Sequence, residues 1–239
     1  MTTPAEISLS YQMVLQNQLD ITANNIANAS TPGFQANHPM FVEYLAVAAD
    51  GSEIAFVEDR GTLRNLNAGP LTHTGNNLDI GIQGPGYFTV ETDAGIFYTR
   101  NGSFRLNASG QLITSSSAVV LGESDAPIVV APGETEISIS SDGTVSTENG
   151  EIGKLSVVTF ENEQDMQLIG NSLLSTEQPP IKSAKAEIAQ GMLEGSNVIA
   201  VSEITRMIEI LRSYQAANQM ITTEEERQQQ AIQLLTRTA

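Results

Sequence analysis

The sequence predicts an α+β chain, an antiparallel all-β central domain flanked by N- and C-terminal helices. Three observations carry that expectation. Residues 5–28 and 198–236 contain neither Gly nor Pro. Between them, short alternating runs are punctuated by glycine turns about every 8–12 residues. The charge follows the same division. Residues 1–35 hold two acids and no base, residues 36–190 twenty acids against seven bases, and residues 191–239 six acids against four bases.

The first helix has a defined start. Thr3-Pro4-Ala5-Glu6 is a capping box with Pro at the first helical position, where its missing N–H costs nothing. Tyr11, Leu15, Leu19, Thr22 and Ile26 then recur at helical spacing, with Val14 and Ile21 widening the stripe. Ser30-Thr31-Pro32-Gly33 ends it, because Pro32 disfavours helix at Thr31 and Gly33 permits a sharp turn. Residues 36–74 read as a connecting segment, with one apolar run at 40–45 and a loop-like stretch after it.

The β-rich domain is placed at 75–190. Leu78–Ile82 alternates in hydropathy. Tyr87–Val90 leads through Thr92-Asp93-Ala94-Gly95 into Ile96-Phe97-Tyr98. Phe104–Leu106 leads through Asn107–Gly110 into Leu112-Ile113. Ile137–Ile139 leads through Asp142-Gly143 into Thr144–Ser146, and Leu155–Phe160 is the most apolar run. Such runs joined by Asp-Gly and Ser-Gly turns are hairpin signals.

The C-terminal segment, residues 191–239, holds a second and longer helix, capped by Ser196 or Asn197. Steps of three and four from Ile204 reach Met207, Leu211, Tyr214, Asn218, Ile221, Glu225, Gln228, Ile232 and Leu235. Seven of those ten positions are apolar. This is a heptad seam, narrower than an ordinary core face. A helix of about 39 residues is roughly 58 Å long, well beyond the typical globular helix. Narrow-seamed helices gain stability by association, so the two ends are expected to close on each other and on neighbouring molecules.

Composition removes most chemistry. The chain of 239 residues has a formal charge of −17, no Cys, no Trp and two His. Disulfides and Cys-based metal sites are excluded. The negative charge argues against a nucleic-acid partner. No apolar run is long enough to span a bilayer as a helix. No basic-then-apolar leader opens the chain, so no cleaved secretory signal is expected. Gly81, Gly84 and Gly86 have the wrong spacing and setting for a dinucleotide loop and read as a tight hairpin. His73 and His38 lack companions at metal-ligand spacing. Asp142-Gly143 and Asn149-Gly150 lack the calcium-loop pattern. Glu58-Asp59 and Asp79 are chance neighbours in an acid-rich chain, not a catalytic pair. Glu224-Glu225-Glu226 reads as a solvated helix face. A glycan-binding module is disfavoured by the low aromatic content of 5%. No catalytic residue, metal ligand, cofactor or small-molecule substrate is expected.

The candidate functional residues are therefore those of an assembly interface. They are Leu15, Leu19 and Ile26 on the first helix and Ile204, Leu211, Tyr214, Asn218 and Ile221 on the last. Asn24, Asn25 and Asn28 join them, because Asn near a helix end favours side-chain hydrogen bonds that fix a turn or a subunit contact.

These asparagines also carry a resemblance. Leu19-Asp20-Ile21-Thr22-Ala23-Asn24-Asn25-Ile26-Ala27-Asn28, followed by Ser30-Thr31-Pro32-Gly33-Phe34, resembles the N-terminal signature of the bacterial flagellar rod and hook proteins. A basic residue commonly follows the aromatic in that family; here it is Gln35. Thr74–Ile80 with Ile82–Phe88, Tyr98–Phe104, Gln190–Val198 and Arg212–Gln219 are similar to further family blocks, in the family's order. Length and the apolar run at 40–45 place the chain nearest the proximal-rod members. The resemblance implies a structural subunit exported by the flagellar type III apparatus and assembled in the periplasm. It implies partners among copies of itself and related rod proteins, the distal rod protein included. It also implies terminal helices lining a tube as an α-helical coiled-coil layer, with the β domain outside.

Overall fold

The computed structural model describes residues 4–47, 53–134, 136–183 and 185–237. The proposed cap at Thr3 lies outside them. Helix α1 spans Pro4–Ala27, and a long hairpin follows, β1 Asn37–Val47 and β2 Glu53–Arg64. The chain then forms β3 Leu71–His73, β4 Ile80–Gln83, β5 Tyr87–Thr92, β6 Gly95–Thr99, β7 Phe104–Leu106, β8 Leu112–Thr114 and β9 Val119–Val120. Next come β10 Ser138–Ile139, β11 Thr144–Thr147, β12 Gly150–Lys154, β13 Val157–Thr159, β14 Gln167–Gly170 and β15 Leu173–Ser175. Strands β16 Ile181–Lys182, β17 Glu187–Gln190 and β18 Met192–Glu194 lead to helix α2, Ala200–Arg237. The α+β expectation holds, with antiparallel pairing between the strands.

The chain divides into two compact units. Unit 1 gathers α1, the β1–β2 hairpin and α2; unit 2 comprises residues 28–36 and 65–198. The hairpin revises the reading of residues 36–74. The stretch taken as loop-like after residue 45 pairs along β1, from Asn37 opposite Arg64 to Val47 opposite Glu53. The register shifts once, between Met40 and Phe41.

Unit 2 is built on a nine-stranded sheet with the path β14-β15-β6-β5-β9-β8-β7, joined at β5 by β13 and through it β16. Its main core gathers Ile80, Ile82, Phe88, Val90, Phe104, Leu112 and Val120 with Ile139, Val145, Leu155 and Ile188. A second cluster surrounds Tyr87, Tyr98 and Phe160, with Tyr98 edge-on to Phe160 at 4.7 Å between centroids. Burial, and secondarily the nearby charge of Asp125, raise the Tyr98 phenol above its ordinary value of 10.0. The alternating runs of the sequence are these strands. Continuous burial of Tyr87–Val90 marks β5 as the central strand, covered on both faces.

Candidate assembly surface and the signature cluster

In unit 1, α1 and α2 pack against each other through Leu15, Ile210 and Ala217, flanked by Leu19 and Tyr214. The inward line on α2 runs Glu203, Met207, Ile210, Tyr214, Ala217, Ile221 and Glu224, all buried or half-buried, at spacings of four and three. A second apolar line faces outward on the same helix. Val201 is 76% exposed, Ile204 47%, Ile208 47% and Leu211 42%. On α1, Leu9 and Met13 are likewise exposed.

The anticipated seam residues therefore separate into two sets. Leu15 is buried, Leu19, Ile26, Tyr214 and Ile221 are half-buried, and Ile204, Leu211 and Asn218 are exposed. Stepping by threes and fours from Ile204 crossed between two neighbouring apolar stripes. Both are apolar, so spacing alone did not separate them.

The asparagines separate in the same way. Asn24 is exposed. Asn25 is buried, its Oδ1 accepting the Asn37 N–H at 2.9 Å and its Nδ2 donating to the Asn37 carbonyl at 2.8 Å. The same Nδ2 reaches Glu203 Oε2 at 3.2 Å. Asn25 thus ties α1 to the base of the hairpin and to the first turn of α2. Glu203 sits where the helix dipole favours a negative charge. Beside it, Arg206 donates to His38 Nδ1 at 3.4 Å. Asn28 turns the chain out of α1, its carbonyl accepting the Thr31 N–H and its Oδ1 the Thr31 hydroxyl.

In unit 2 the remaining signature blocks converge. Arg100 and Glu194 form an ion pair with side chains only 4% and 2% exposed. The guanidinium Nε donates to Glu194 Oε2 at 2.8 Å, and the terminal nitrogens donate to the Gly86 and Gly84 carbonyls at 2.9 and 3.2 Å. Glu194 Oε1 accepts the Gly69 N–H, and the Glu194 carbonyl accepts the Gly33 N–H. Gly33 adopts φ +68°, and a Cβ there would lie 2.5 Å from the Arg100 carbonyl carbon. Only glycine fits that approach.

Asn197 completes the cluster. Its Oδ1 accepts the Ala36 N–H at 2.7 Å, and its Nδ2 donates to the carbonyls of Asn65 and Asn67 at 2.8 and 2.7 Å. It was expected as a cap for α2. Instead α2 begins at Ala200, with its first helical bond from the Glu203 N–H to the Ile199 carbonyl. Three main-chain groups from Ala36, Asn65 and Asn67 offer the Asn197 amide side chain more partners than a helix end does. Arg100 and Glu194 were not singled out by residue chemistry. Their signal was an arginine and a glutamate within apolar strand-like segments, positions where a charge is stable only when paired.

The other candidates resolve as structure. Gly84 and Gly86 present carbonyls to Arg100. His73 lies in β3, paired with Met192, and Glu58 and Asp59 lie in β2. Asp79 is buried and bridges to Ser103. Asp142 closes its turn on Thr144; those hydrogen bonds, with Lys154 adding less, hold its carboxyl below the ordinary range. Among the described residues no group of three His, Asp or Glu is placed to hold a metal ion.

The clustered blocks correspond to three sequence families. Residues 9–35 match the family described as flagella basal body rod protein. Residues 81–147 match the D1 domain of flagellar hook protein FlgE/F/G, and residues 189–234 the C-terminal part of flagellar basal body rod FlgEFG proteins. The flagellar basal-body rod protein FlgF of Caulobacter vibrioides is 38% identical over 235 residues, 96% of each chain.

The chain belongs to the flagellar basal-body rod protein family.

The FlgF of Salmonella typhimurium is 35% identical, covering 92% of each chain. The FlgG of Bacillus subtilis is 32% identical, covering 92% of this chain and 94% of its own. Of these three, the two FlgF proteins are the more similar. The chain is a structural subunit of the flagellar basal-body rod, of the FlgF type.

Proposed function

We propose that this subunit occupies the proximal rod and transmits torque within a helical tube through contacts made by α1 and α2. The observation that carries this is the outward line of α2. Four large aliphatic side chains, Val201, Ile204, Ile208 and Leu211, stay exposed on a helix whose neighbouring stripe is already filled by α1. An apolar stripe left over after the intramolecular seam closes is a surface for another chain. A helical assembly needs heterologous contacts that do not close on themselves, and two different exposed stripes on α1 and α2 meet that need. In this reading Ile204, Leu211, Asn218 and Asn24 face neighbouring subunits directly. Leu15, Leu19, Ile26, Asn25, Asn28, Tyr214 and Ile221 hold the helices in the shape that presents them. The partners are copies of this chain and related rod proteins, including the distal rod protein, joined as an α-helical coiled-coil layer. The subunit reaches the periplasm through the flagellar type III apparatus without a cleaved signal.

The test is complementation with Leu211→Glu and Ile204→Glu in a strain lacking the gene. Loss of complete rods and of swimming, with purified protein unchanged in circular dichroism, is expected. Normal rods and swimming would remove the outward stripe as an interface. A FlgG-type distal position is the second reading, favoured by the Bacillus subtilis similarity. Cryo-electron microscopy of isolated basal bodies decides it by the level at which the chain fits.

A further inference from the structure

Residues 33–36 run through unit 2 as a buried strap. Phe34, Gln35 and Ala36 are 6%, 7% and 4% exposed. The main chain of the strap is held chiefly from far along the sequence. The Gly33 N–H donates to the Glu194 carbonyl, the Asn197 N–H donates to the Phe34 carbonyl, and the Ala36 N–H donates to Asn197 Oδ1, a residue 161 positions later. The Asn65 N–H adds a bond to the Ala36 carbonyl, and Asn197 Nδ2 holds Asn65 in turn.

Gln35 is the weak point. Its Nε2 is buried and finds no hydrogen-bond acceptor among the described residues. A buried donor without an acceptor keeps its desolvation penalty only while the strap is closed, so it favours opening. The main cluster draws on residues 80–188 and includes nothing from 33–36.

We propose that residues 33–36 open and close as one unit, with Glu194–Asn197 as the clasp and Gln35 as a built-in bias toward opening. A chain delivered N-terminus first assembles nearly all of the β core before the clasp exists. The N-terminal signature is therefore fastened only when the C-terminal signature arrives. The strap acts as a completion gate, keeping partial chains from presenting a fixed N-terminal segment. Local opening of this kind is seen in amide exchange as a cooperative unit separate from global unfolding.

Native-state hydrogen exchange on the full chain tests it. The Gly33, Ala36 and Asn197 amides are expected to share one exchange free energy and to exchange at least tenfold faster than Leu121 in the core. Asn197→Ala should speed Gly33 and Ala36 by a further tenfold or more and leave Leu121 unmoved. Gln35→Met, which removes the unpaired donor, should slow the same amides about tenfold. In refolding with pulse labelling, Ala36 should gain protection together with Gly195 and after Leu121. Exchange of Gly33 and Ala36 only at the global rate would overturn the proposal, as would no slowing by Gln35→Met or protection of Ala36 ahead of Gly195. The wild-type and Gln35→Met measurements stand even where Asn197→Ala does not fold.

Discussion

Arg100 shows how much one side chain can organise. It neutralises Glu194 and satisfies two glycine carbonyls in a setting almost closed to water. Removing one member of a buried pair strands the other, at a cost of about 3–5 kcal/mol. Arg100→Met should therefore lower the urea midpoint sharply, whereas Arg100→Met with Glu194→Leu should recover part of the loss. Equal loss in the single and double variants would mean that the carbonyl contacts, not the pair, dominate. Tyr98 gives a pH signature. Its phenol is raised in the folded state, so its stabilisation is fully present below the ordinary value of 10.0 and is lost as pH rises through the folded value. Wild-type protein should weaken in urea above about pH 10, and Tyr98→Phe should flatten that decline. Gly102 sets a steric limit, because a Cβ there would sit 1.7 Å from the Ile80 carbonyl oxygen. Gly102→Ala must displace β4 or β7 and should abolish cooperative unfolding.

At the scale of elements, α2 carries two faces one residue apart in sequence. Ile210 is buried against Leu15, and Leu211 is exposed. Ile210→Ala should cost the monomer about 2–5 kcal/mol, measured by thermal or urea unfolding of unit 1. Leu211→Glu should cost it almost nothing and act only on assembly. The reverse ranking would mean that the faces are exchanged. The sequence showed that α2 is long and apolar on one side, but not that it is apolar on two. Positions 201, 204 and 208 and positions 207, 210 and 214 all carry apolar side chains, so only the docked α1 distinguishes them. The hairpin β1–β2 was less legible. Two apolar runs flank Asp50-Gly51, a strong turn signal, yet long strands rich in charges such as Glu43, Glu58 and Asp59 blur the alternation that marks a strand.

At the scale of the whole molecule, the order helix, strands, helix and the antiparallel pairing were legible because each rests on local signals, namely breakers, alternation and turns. The signature cluster was not, because Gly33, Gly69, Arg100, Glu194 and Asn197 meet only when distant segments fold together. The recognisable blocks contain Gly33, Arg100, Glu194 and Asn197; in unit 2 Gly33, Gly69 and Arg100 are hydrogen-bonded to Glu194, and Asn197 to Phe34, Ala36, Asn65 and Asn67. Charge also acts at this scale. With −17 overall and most of it between residues 36 and 190, like molecules repel over long range. Raising ionic strength from 0.01 to 0.15 M shortens the screening length from about 30 to about 8 Å. Self-association in analytical ultracentrifugation should therefore begin at lower protein concentration in added salt. Association that weakens with salt would point to ion pairs as the attraction.

A helix read from two sides has no spare phase. Deleting one residue after Glu203 would swing everything beyond it by about 100°, bringing outward aliphatics toward α1 and turning seam residues to water. Seven residues, close to two turns, is the shortest insertion or deletion that returns both faces to their places. Length variation in this stretch should come in sevens, and a single-residue change should be as damaging as a charge in the seam.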